Sequence, residues 1–468
     1  MNTKLLKQKI LDLAIRGKLT DQRKNDGTAR DLLTQISDER RKTRDERIGM
    51  SSKKSGVILS EAQSAKSKDL GQIIPLDKNE APFEIPENWE WVRLGDVISI
   101  KSGDAIKVRN NQVGEFPVYG GNGVTGYCDS FNIEKRTIVI GRVGFNCGSV
   151  HVSKGKAWVT DNAFITKFND LIYDISFLEK LLIYFELRRF SNSTAQPVIS
   201  GKTIYPIPIP LPPIAEQQRI VAKIEEAFAE IDAIEKNKEL LKTHIKQTRQ
   251  KILDLAIHGK LVPQDKNDEP ASVLLERITR DNPHYEKIEN EPFEIPENWA
   301  WCKLGNLFFH TTGKALKKAN STGIQRNYIT TSNLYWGEFD LSEVRSMYFT
   351  EDELDKCTAK KGDLLLCNGG DVGRAAIWNF DYDICFQNHI SRLRPKSVSL
   401  SNVFYLYVIR YNKEKGNLNG RGVGITSLSA NDLLSLVVPL PPLNEQSRIV
   451  AKIEELFSTL DQMERNLV

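Results

Sequence analysis

Apolar side chains recur in alternating steps of three and four residues along the segment 213–259. These positions are Ile220, Ile224, Ala227, Ile231, Ile234, Leu241, Ile245, Ile252 and Leu255. Lys238 and Thr248 interrupt the series at two points. The heptad spacing predicts one long α-helix whose apolar stripe is buried against a partner helix.

Two interpretations of this helix are open, a surface helix on a globular core and a spacer between two domains. The 45 residues of 214–258 would form a helix ~68 Å long at ~1.5 Å per residue. That length exceeds the width of one small domain, and the spacer is therefore favoured.

Three blocks of the sequence occur twice in the same order, which indicates a duplicated protein with two equivalent halves. The copies lie 242, 210 and 229 positions apart. The fall from 242 to 210 places a 32-residue insertion in the first copy, between Asp38 and Glu80. It is either a contact for a partner on one side or, as we favour, a tolerated surface insertion. The paired blocks are Gln8–Ile15 with Gln250–Ile257, Pro82–Trp89 with Pro292–Trp299, and Arg219–Glu226 with Arg448–Glu455.

The two chain ends supply a partner for the long helix in two pieces. Residues after Pro442 repeat its apolar phase at an offset of 229, and residues before Gly17 repeat it at an offset of 242. Together they reproduce the central helix apart from positions 240–242. This arrangement predicts a circularly permuted duplication with two long antiparallel helices. The stripe residues predicted to pack are Ile220, Ile224, Ile231, Ile234, Leu241, Ile245, Ile252, Ile449, Ile453, Leu456 and Leu460.

Two less similar regions lie between the repeated blocks and have the pattern of mixed α+β domains. Short apolar runs at 137–140 and 363–366 predict strands that end in glycine-rich turns, and 177–190 and 403–411 predict helices. The predicted fold class is α+β, with two pseudo-symmetric α/β domains joined by the helices. The predicted segments are an N-terminal helical segment of residues 1–36, a charged linker with the insertion 37–81, a first domain 82–213, the central helix 214–258, a linker 259–291, a second domain 292–442 and a C-terminal helical segment of residues 443–468.

Each variable region ends in Pro-Leu-Pro-Pro and is followed by Glu-Gln-x-Arg-Ile-Val-Ala-Lys-Ile-Glu-Glu. With the duplication and the permuted ends, these motifs make the chain resemble the specificity subunit of type I restriction-modification enzymes along nearly its whole length. The resemblance implies two target recognition domains that read a split, asymmetric double-stranded DNA site. It also implies two modification subunits that methylate adenine N6, and restriction subunits that translocate and cleave DNA. S-adenosylmethionine, ATP and Mg are then expected on those partners, with no cofactor or metal in this chain.

Composition agrees with a non-catalytic cytoplasmic protein. No Gly-x-x-x-x-Gly-Lys-[Ser/Thr] phosphate loop occurs, and the six histidines and six cysteines show no metal-ligand spacing. Residues 1–18 form a charged amphipathic pattern and not a signal peptide, and no apolar run reaches ~18 residues. The net charge is +4 overall, +1 for 82–213 and +2 for 292–442. DNA affinity is therefore expected from local basic loops and from partner subunits.

Residues that are the same in both domains cannot distinguish two different half-sites. Shared basic residues are therefore expected to bind phosphate, and residues that differ between the domains are expected to read bases. The shared segment is 101–110, which aligns with 311–320 and is interpreted as a phosphate-binding loop or a solvated basic turn. The predicted DNA-binding residues are Lys107, Arg109, Asn110, Arg142, Asn146, Lys154, Lys156, Lys202, Lys314, Lys317, Lys318, Asn320, Arg326, Arg374, Asn388 and Arg421.

The tryptophans of the shared blocks have two interpretations, stacking on flipped bases or anchoring each domain to its helices, and anchoring is favoured. Two other functions are weighed against DNA recognition. One is a coiled-coil adaptor without DNA specificity, and the other is a self-contained methyltransferase, which the missing motifs oppose. These tryptophans are Trp89, Trp91, Trp299 and Trp301.

Overall fold

A computed structural model gives the fold of the chain as two compact units, Met1–Asn237 and Lys238–Val468. Both units are mixed α+β, which confirms the predicted fold class. Almost all of the 32-residue insertion lies outside the described residues. The structure describes residues 2–36, 38, 73–106, 114–192, 197–280, 282, 285–315, 322–418, 420 and 427–467.

The first unit has an antiparallel four-stranded sheet, a three-stranded mixed sheet and a two-stranded ribbon. In the four-stranded sheet the order is Ile98–Ser102, Ala163–Phe168, Ile138–Gly141, Val150–Val152. The three-stranded sheet has the order Gly123–Cys128, Phe116–Gly120, Trp158–Val159, and the ribbon pairs Glu90–Arg93 with Pro208–Leu211. The helices and 3-10 turns are Thr3–Ile15, Lys24–Asp26, residues 29–36, Lys78–Glu80, Leu94–Val97, Ile175–Tyr184, Leu187–Phe190, Gly201–Ile204 and the first half of Ile214–Ile257.

The second unit repeats this plan with one extra strand in its mixed sheet. Its antiparallel sheet has the order Phe308–Thr312, Ile390–Pro395, Leu364–Cys367, Ala375–Ile377. The mixed sheet has the order Arg345–Phe349, Ile324–Ile329, Ile384–Phe386, Thr358–Ala359, and the ribbon pairs Ala300–Lys303 with Val437–Leu440. The helices are Ala271–Thr279, Leu304–Leu307, Glu351–Cys357, Asn402–Glu414, Ala430–Leu434 and Leu443–Asn466, with the second half of Ile214–Ile257.

The predicted long helix is confirmed as the continuous helix Ile214–Ile257. Two residues after its end lies Gly259, whose φ of +66° suits a left-handed C-terminal cap. Lys260 N–H donates to Leu255 O at 2.8 Å to close that cap. Gly17 has the same φ, and Lys18 N–H likewise donates to Leu13 O at 2.8 Å. Both copies of this repeated segment therefore include the glycine cap that ends the helix.

Most of the predicted stripe is buried, but two of its positions are not. Ile220, Ile224 and Ile245 are at most 4% exposed, whereas Ile234 is 48% and Leu241 41% exposed. Placing the last two in the packed stripe was wrong. These positions are exposed because each partner helix ends before it can cover them. The helix Thr3–Ile15 begins at Thr3, which contacts Glu235, and the helix Leu443–Asn466 ends at Asn466. The remaining stripe residues are buried or half-buried, namely Ile231, Ile252, Ile449, Ile453, Leu456 and Leu460.

Each unit contains an antiparallel helix pair. In the first unit Lys7 forms an ion pair with Asp232, and its ammonium also lies over the Phe228 ring. In the second unit Arg249 binds Asp461 at 2.5 Å and Glu464 at 3.0 Å. In the first unit the order of contacts is reversed between the helices, since Glu235 meets Thr3 and Asp232 meets Lys7. In the second unit Gln264 joins Gly259 O, just past the long helix, to Glu445 at the start of the partner helix. Because Arg249 contacts the other end of that partner, the predicted antiparallel pairing holds within each unit.

A buried glutamate at the start of each paired helix ties the neighbouring domain to that helix. Glu445 is fully buried and accepts hydrogen bonds from Trp299 Nε1 at 3.0 Å and Gln264 Nε2 at 2.6 Å. Glu216 has the same contacts in the first unit, from Trp89 Nε1 at 2.9 Å and from a glutamine amide at 2.6 Å. Burial raises the pKa of the Glu445 carboxyl. Trp89 and Trp299 are thus anchors, as the sequence favoured.

The first and last strands of each variable region pair with each other as one antiparallel ribbon. In the first ribbon Glu90 faces Leu211, and in the second Ala300 faces Leu440. The first and last strands of each domain therefore lie side by side, and the residues between them form one continuous insertion between helical segments of the chain.

Candidate nucleic-acid interface

The predicted residue Arg142 lies where several loops of the first domain meet, directly after the buried strand Ile138–Gly141. Its backbone N–H donates to Asn162 O at 2.9 Å, and its carbonyl accepts from Ile199 N–H at 3.1 Å. Gly144 N–H donates to Pro197 O at 2.9 Å. We call this surface the first loop edge, which comprises residues 102–104, 121–122, 142–149, 160–162 and 197–202.

The second domain builds the same edge from equivalent residues. Asn368 follows the buried strand Leu364–Cys367, its N–H donates to His389 O at 3.0 Å, and its carbonyl accepts from Leu428 N–H at 2.8 Å. We call this surface the second loop edge, which comprises residues 312–314, 330–331, 368–374, 387–389 and 427–428. The matching backbone hydrogen bonds show that both domains hold these loops with the same main-chain contacts, which we call the common frame.

The residue after the buried strand makes one shared contact through different chemistry. Arg142 Nη1 donates to Asp161 O at 3.3 Å and to Ser102 Oγ at 3.1 Å. Asn368 Nδ2 donates to Asn388 O at 3.3 Å, the carbonyl equivalent to that of Asp161. The contact holds the frame in both domains, and the first domain alone adds a guanidinium charge at this point.

The loop that follows is closed in the same way in both domains. Ser149 Oγ donates to Gly121 O at 2.5 Å, and Arg374 Nη2 donates to Thr331 O, the equivalent carbonyl. The Arg374 guanidinium also lies 5.1 Å from the centre of the Tyr335 ring. An arginine thus replaces a serine at a scaffold position and brings positive charge to the second loop edge.

The shared glycines of the aligned segment serve the frame. A Cβ on Gly103 would lie 2.2 Å from Val159 O, and one on Gly313 would lie 2.2 Å from Phe386 O. The backbone of each segment passes so close to the neighbouring strand that only glycine fits. The presence of glycine at this position in both halves therefore reflects packing.

The structure brings five of the predicted DNA-binding residues to the two edges. Lys202 is exposed, and the other four are half-buried beside the loop contacts described above. Seven other predicted residues lie outside the described residues. The five at the edges are Arg142, Asn146, Lys202, Arg374 and Asn388. The seven outside are Lys107, Arg109, Asn110, Lys317, Lys318, Asn320 and Arg421.

Lys314 does not fit the predicted role of a phosphate ligand. It is 7% exposed, donates to Glu353 at 2.6 Å and to Tyr348 O at 2.8 Å, and lies over the Phe349 ring. The hydrogen bond from Lys314 holds the pKa of the Glu353 carboxyl below its usual value. The charge of Lys314 is neutralised inside the second domain, which sequence pattern alone does not reveal.

Three further predicted residues lie away from the edges. Lys154 and Lys156 follow strand Val150–Val152, whose last residue faces Ile138, at the end of the sheet opposite Arg142. The Lys156 ammonium lies 4.7 Å from the centre of the Phe131 ring. Arg326 is exposed on strand Ile324–Ile329, three residues before Ile329, whose carbonyl accepts from Gln387 N–H of the second loop edge.

Sequence reasoning missed several residues of the edges. Ser102, Asp161 and Asn368 are neutral or acidic and carry no sign of nucleic-acid binding in the sequence, and Phe145 looked like an ordinary apolar residue. A glycine-rich turn after a buried apolar strand was the one available signal for their position. Among the described residues, no cluster of His, Cys, Asp and Glu is arranged to hold a metal ion. Within the same residues no helix has both the length and the apolar character to cross a membrane.

Comparison with known families accounts for both halves of the chain. The model of the type I restriction modification DNA specificity domain matches residues 86–243 and again residues 296–467. Each match covers one loop edge, its ribbon and a portion of the paired helices. The internal repeat found in the sequence therefore coincides with two copies of one known domain.

Curated relatives resemble the chain over nearly its full length. It is 24% identical to the EcoAI specificity subunit of Escherichia coli, over 98% of this chain and 90% of that protein. It is 22% identical to the EcoEI specificity subunit of Escherichia coli, over 99% of this chain and 90% of that protein. Both relatives are specificity subunits of type I restriction enzymes.

Two solved structures share the fold. The HsdS subunit from Thermoanaerobacter tengcongensis has a TM-score of 0.53 at 18% identity, covering 83% of this chain and 94% of that chain. A chain from a study of assembly and conformational transition of the type I R-M system has a TM-score of 0.55 at 19% identity, covering 82% and 94%. At this level of identity the likeness shows the fold.

Proposed function

The chain belongs to the family of type I restriction-modification DNA specificity domains, and from this premise we propose that it is the sequence-specific DNA recognition subunit of a type I restriction-modification complex. It reads a bipartite, asymmetric site in double-stranded DNA, with one half-site for each recognition domain. The family match is to a DNA specificity domain, which favours recognition over a coiled-coil adaptor.

One observation carries this proposal, namely a common frame that presents different side chains in its two copies. The backbone contacts around Arg142 recur around Asn368, while side chains at equivalent positions differ, as in the pairs Arg142 and Asn368 and Ser149 and Arg374. A protein that reads two unequal half-sites needs this combination, because the frame positions the loops and the divergent side chains distinguish bases.

The catalytic steps belong to partner subunits in this proposal. The chain is a specificity subunit, as its relatives are, and not itself an enzyme. Two modification subunits bind S-adenosylmethionine and methylate adenine, and restriction subunits bind ATP and Mg. The paired helices scaffold these partners, since two of the three repeated blocks, Gln8–Ile15 with Gln250–Ile257 and Arg219–Glu226 with Arg448–Glu455, lie on them.

The proposal is tested by methylation mapping in cells that express this chain with its modification subunits. We expect N6-methyladenine at one bipartite motif throughout the genome, and tight binding of the purified complex to that motif at physiological salt. A complex that binds DNA without sequence preference would overturn the proposal and favour the adaptor.

Replacing Arg142 with Asn is expected to weaken specific DNA binding while leaving the fold intact. Asn368 shows that an amide at this position still donates to the equivalent carbonyl, so the free energy of unfolding should change by less than ~0.5 kcal/mol. The lost guanidinium contact should cost ~1–3 kcal/mol of DNA binding. Titration of the complex with its site, and a thermal melt of the full chain, measure the two effects.

Arg136 provides a matched control for this variant. It is exposed and precedes the same strand at the end opposite Arg142, where Arg136 Nη2 donates to Ser176 Oγ at 3.1 Å. Arg136→Asn removes the same charge from the same domain and should leave binding nearly unchanged. Equal losses for both variants would show that only net charge matters and that the first loop edge does not contact DNA.

A further inference from the structure

Phe145 is the most exposed aromatic residue among those the structure describes. It is 75% exposed and lies at the tip of the loop 142–149 of the first loop edge. Neither of its loop neighbours Cys147 and Gly148 is exposed. The loop thus presents one large apolar side chain to solvent at the surface where several predicted DNA contacts meet.

The loop holds this ring in a fixed place. Cys147 N–H donates to Gly144 O at 3.0 Å, Ser149 N–H donates to Asn146 O at 3.1 Å, and Gly144 N–H donates to Pro197 O at 2.9 Å. Cys147, two residues after Phe145, is 1% exposed and anchors the loop in the core. A side chain on a loop tied at both sides loses little freedom when it binds, which favours a role in recognition.

The surroundings of the ring are basic. The exposed Arg188 lies over one face of Phe145, with its guanidinium carbon 4.5 Å from the ring centre. Arg142 begins the same loop, and the neighbouring acid Glu186 is paired with Arg189 at 2.6 Å. An apolar surface flanked by cations fits a polyanion that also offers apolar groups, and DNA offers these as the 5-methyl groups of thymine in the major groove.

The second domain has no counterpart of this ring. Its equivalent loop, 368–374, is one residue shorter and contains no aromatic residue. Asp371 occupies the corresponding turn and is paired with Lys413 at 3.0 Å. Phe145 therefore differs between the two copies of the frame, as a residue that distinguishes the two half-sites must.

We propose that Phe145 is a specificity-determining residue of the first recognition domain and contacts the 5-methyl group of a thymine in its half-site. This inference rests on the proposed function. Insertion of the ring between two base pairs would require both of its faces, but Arg188 covers one of them. An edge or single-face contact with a methyl group leaves the Arg188 stack in place.

The test replaces each thymine of the first half-site with uracil, which removes only the methyl group. For the wild-type complex, we expect one such replacement to weaken binding about fivefold, equivalent to ~1 kcal/mol at ~1.4 kcal/mol per tenfold. The Phe145→Ala complex should bind the thymine site about fivefold more weakly and should not respond to that replacement. Phe145→Leu, which keeps an apolar side chain, should retain some of the response.

Phe309→Ala is the matched control. Phe309 is 59% exposed and has the ammonium of Lys396 over its ring at 5.6 Å, but it lies on the strand Phe308–Thr312, outside the residues that form the second loop edge. Its complex should respond to uracil as the wild type does. A thermal melt of each full chain shows whether the variants remain folded.

Three results would overturn the inference. These are a first half-site without thymine on either strand, equal responses of the wild-type and Phe145→Ala complexes to every replacement, and an equal loss of Phe145→Ala binding to specific and random DNA. A wild-type complex without any preferred sequence would overturn the proposed function as well. A wild-type complex with a preferred sequence and none of the expected uracil effects would overturn only the role of Phe145.

Discussion

A chain in which a second copy of residues 82–213 replaces residues 292–442 is expected to recognise two copies of the first half-site and to lose the second half-site. The ribbons explain why the exchange should fold. Glu90 faces Leu211 in the first ribbon as Ala300 faces Leu440 in the second. Trp89 of the inserted copy would meet Glu445 in the way that Trp299 does, because both tryptophans donate to the equivalent glutamates at 2.9–3.0 Å.

The size of this effect follows from base discrimination. Each mismatched base pair costs ~1–3 kcal/mol, so a half-site that differs at two pairs loses ~2–6 kcal/mol of binding. Methylation mapping in cells that express the chimera with its modification subunits measures the outcome. Retention of the original second half-site, or a change in both halves, would contradict the assignment of one half-site to each domain.

Replacing Trp299 with Ala is expected to lower the free energy of unfolding of the second unit by ~3–5 kcal/mol, the usual cost of deleting a large buried aromatic side chain. Trp299 is 5% exposed. Trp299→Phe keeps most of the packing but removes the donor to the buried Glu445, at a cost of ~1–3 kcal/mol. Calorimetric unfolding of the full chain measures both values.

Trp301 provides the control for the lost hydrogen bond. It is 6% exposed, and its Nε1 has no hydrogen-bond partner among the described residues. Trp301→Phe therefore removes an unsatisfied donor and should change the free energy of unfolding much less than Trp299→Phe does. Equal costs for the two variants would show that ring volume alone matters and that the bond to Glu445 does not anchor the domain.

The cost of Trp299→Phe should also depend on pH. Burial raises the folded-state pKa of Glu445, and the Trp299 hydrogen bond opposes that rise. Stability linked to this carboxyl is therefore fully present below its unfolded-state pKa and is lost as the pH rises through its folded-state pKa. Removal of the donor raises the folded-state pKa further, so the variant should lose more stability at pH 8 than near pH 4.

Much of the fold followed from spacing in the sequence. The heptad series predicted the helix Ile214–Ile257, and apolar runs predicted the strands Ile138–Gly141 and Leu364–Cys367. The predicted helix 177–190 was less accurate, because the structure ends it at Tyr184 and begins a 3-10 turn at Leu187. Glu186 lies between them with a φ of +46°, a local reversal that apolar periodicity does not encode.

The candidate site was less predictable. Basic residues in glycine-rich loops suggested DNA contacts, and Arg142 and Arg374 do lie at the loop edges. Lys314 had the same appearance in the sequence, yet a carboxylate 39 positions later neutralises it inside the domain. Whether a charged side chain is buried or exposed depends on contacts with residues distant in sequence. The sequence of a single loop does not reveal those contacts.

The residue sequence alone was enough to establish the duplication, the long helix and the family, because these depend on repeated residues and on a periodicity that any helix must obey. Three further features could be seen only in the folded chain: which side chains reach the loop edges, the exposure of the apolar stripe at Ile234 and Leu241, and the exposure of Phe145 beside Arg188. Those outcomes depend on where partner helices end and on which strands meet. The ends of the partner helices and the pairing of the strands are both determined by contacts between distant segments, which the order of residues along one segment does not specify.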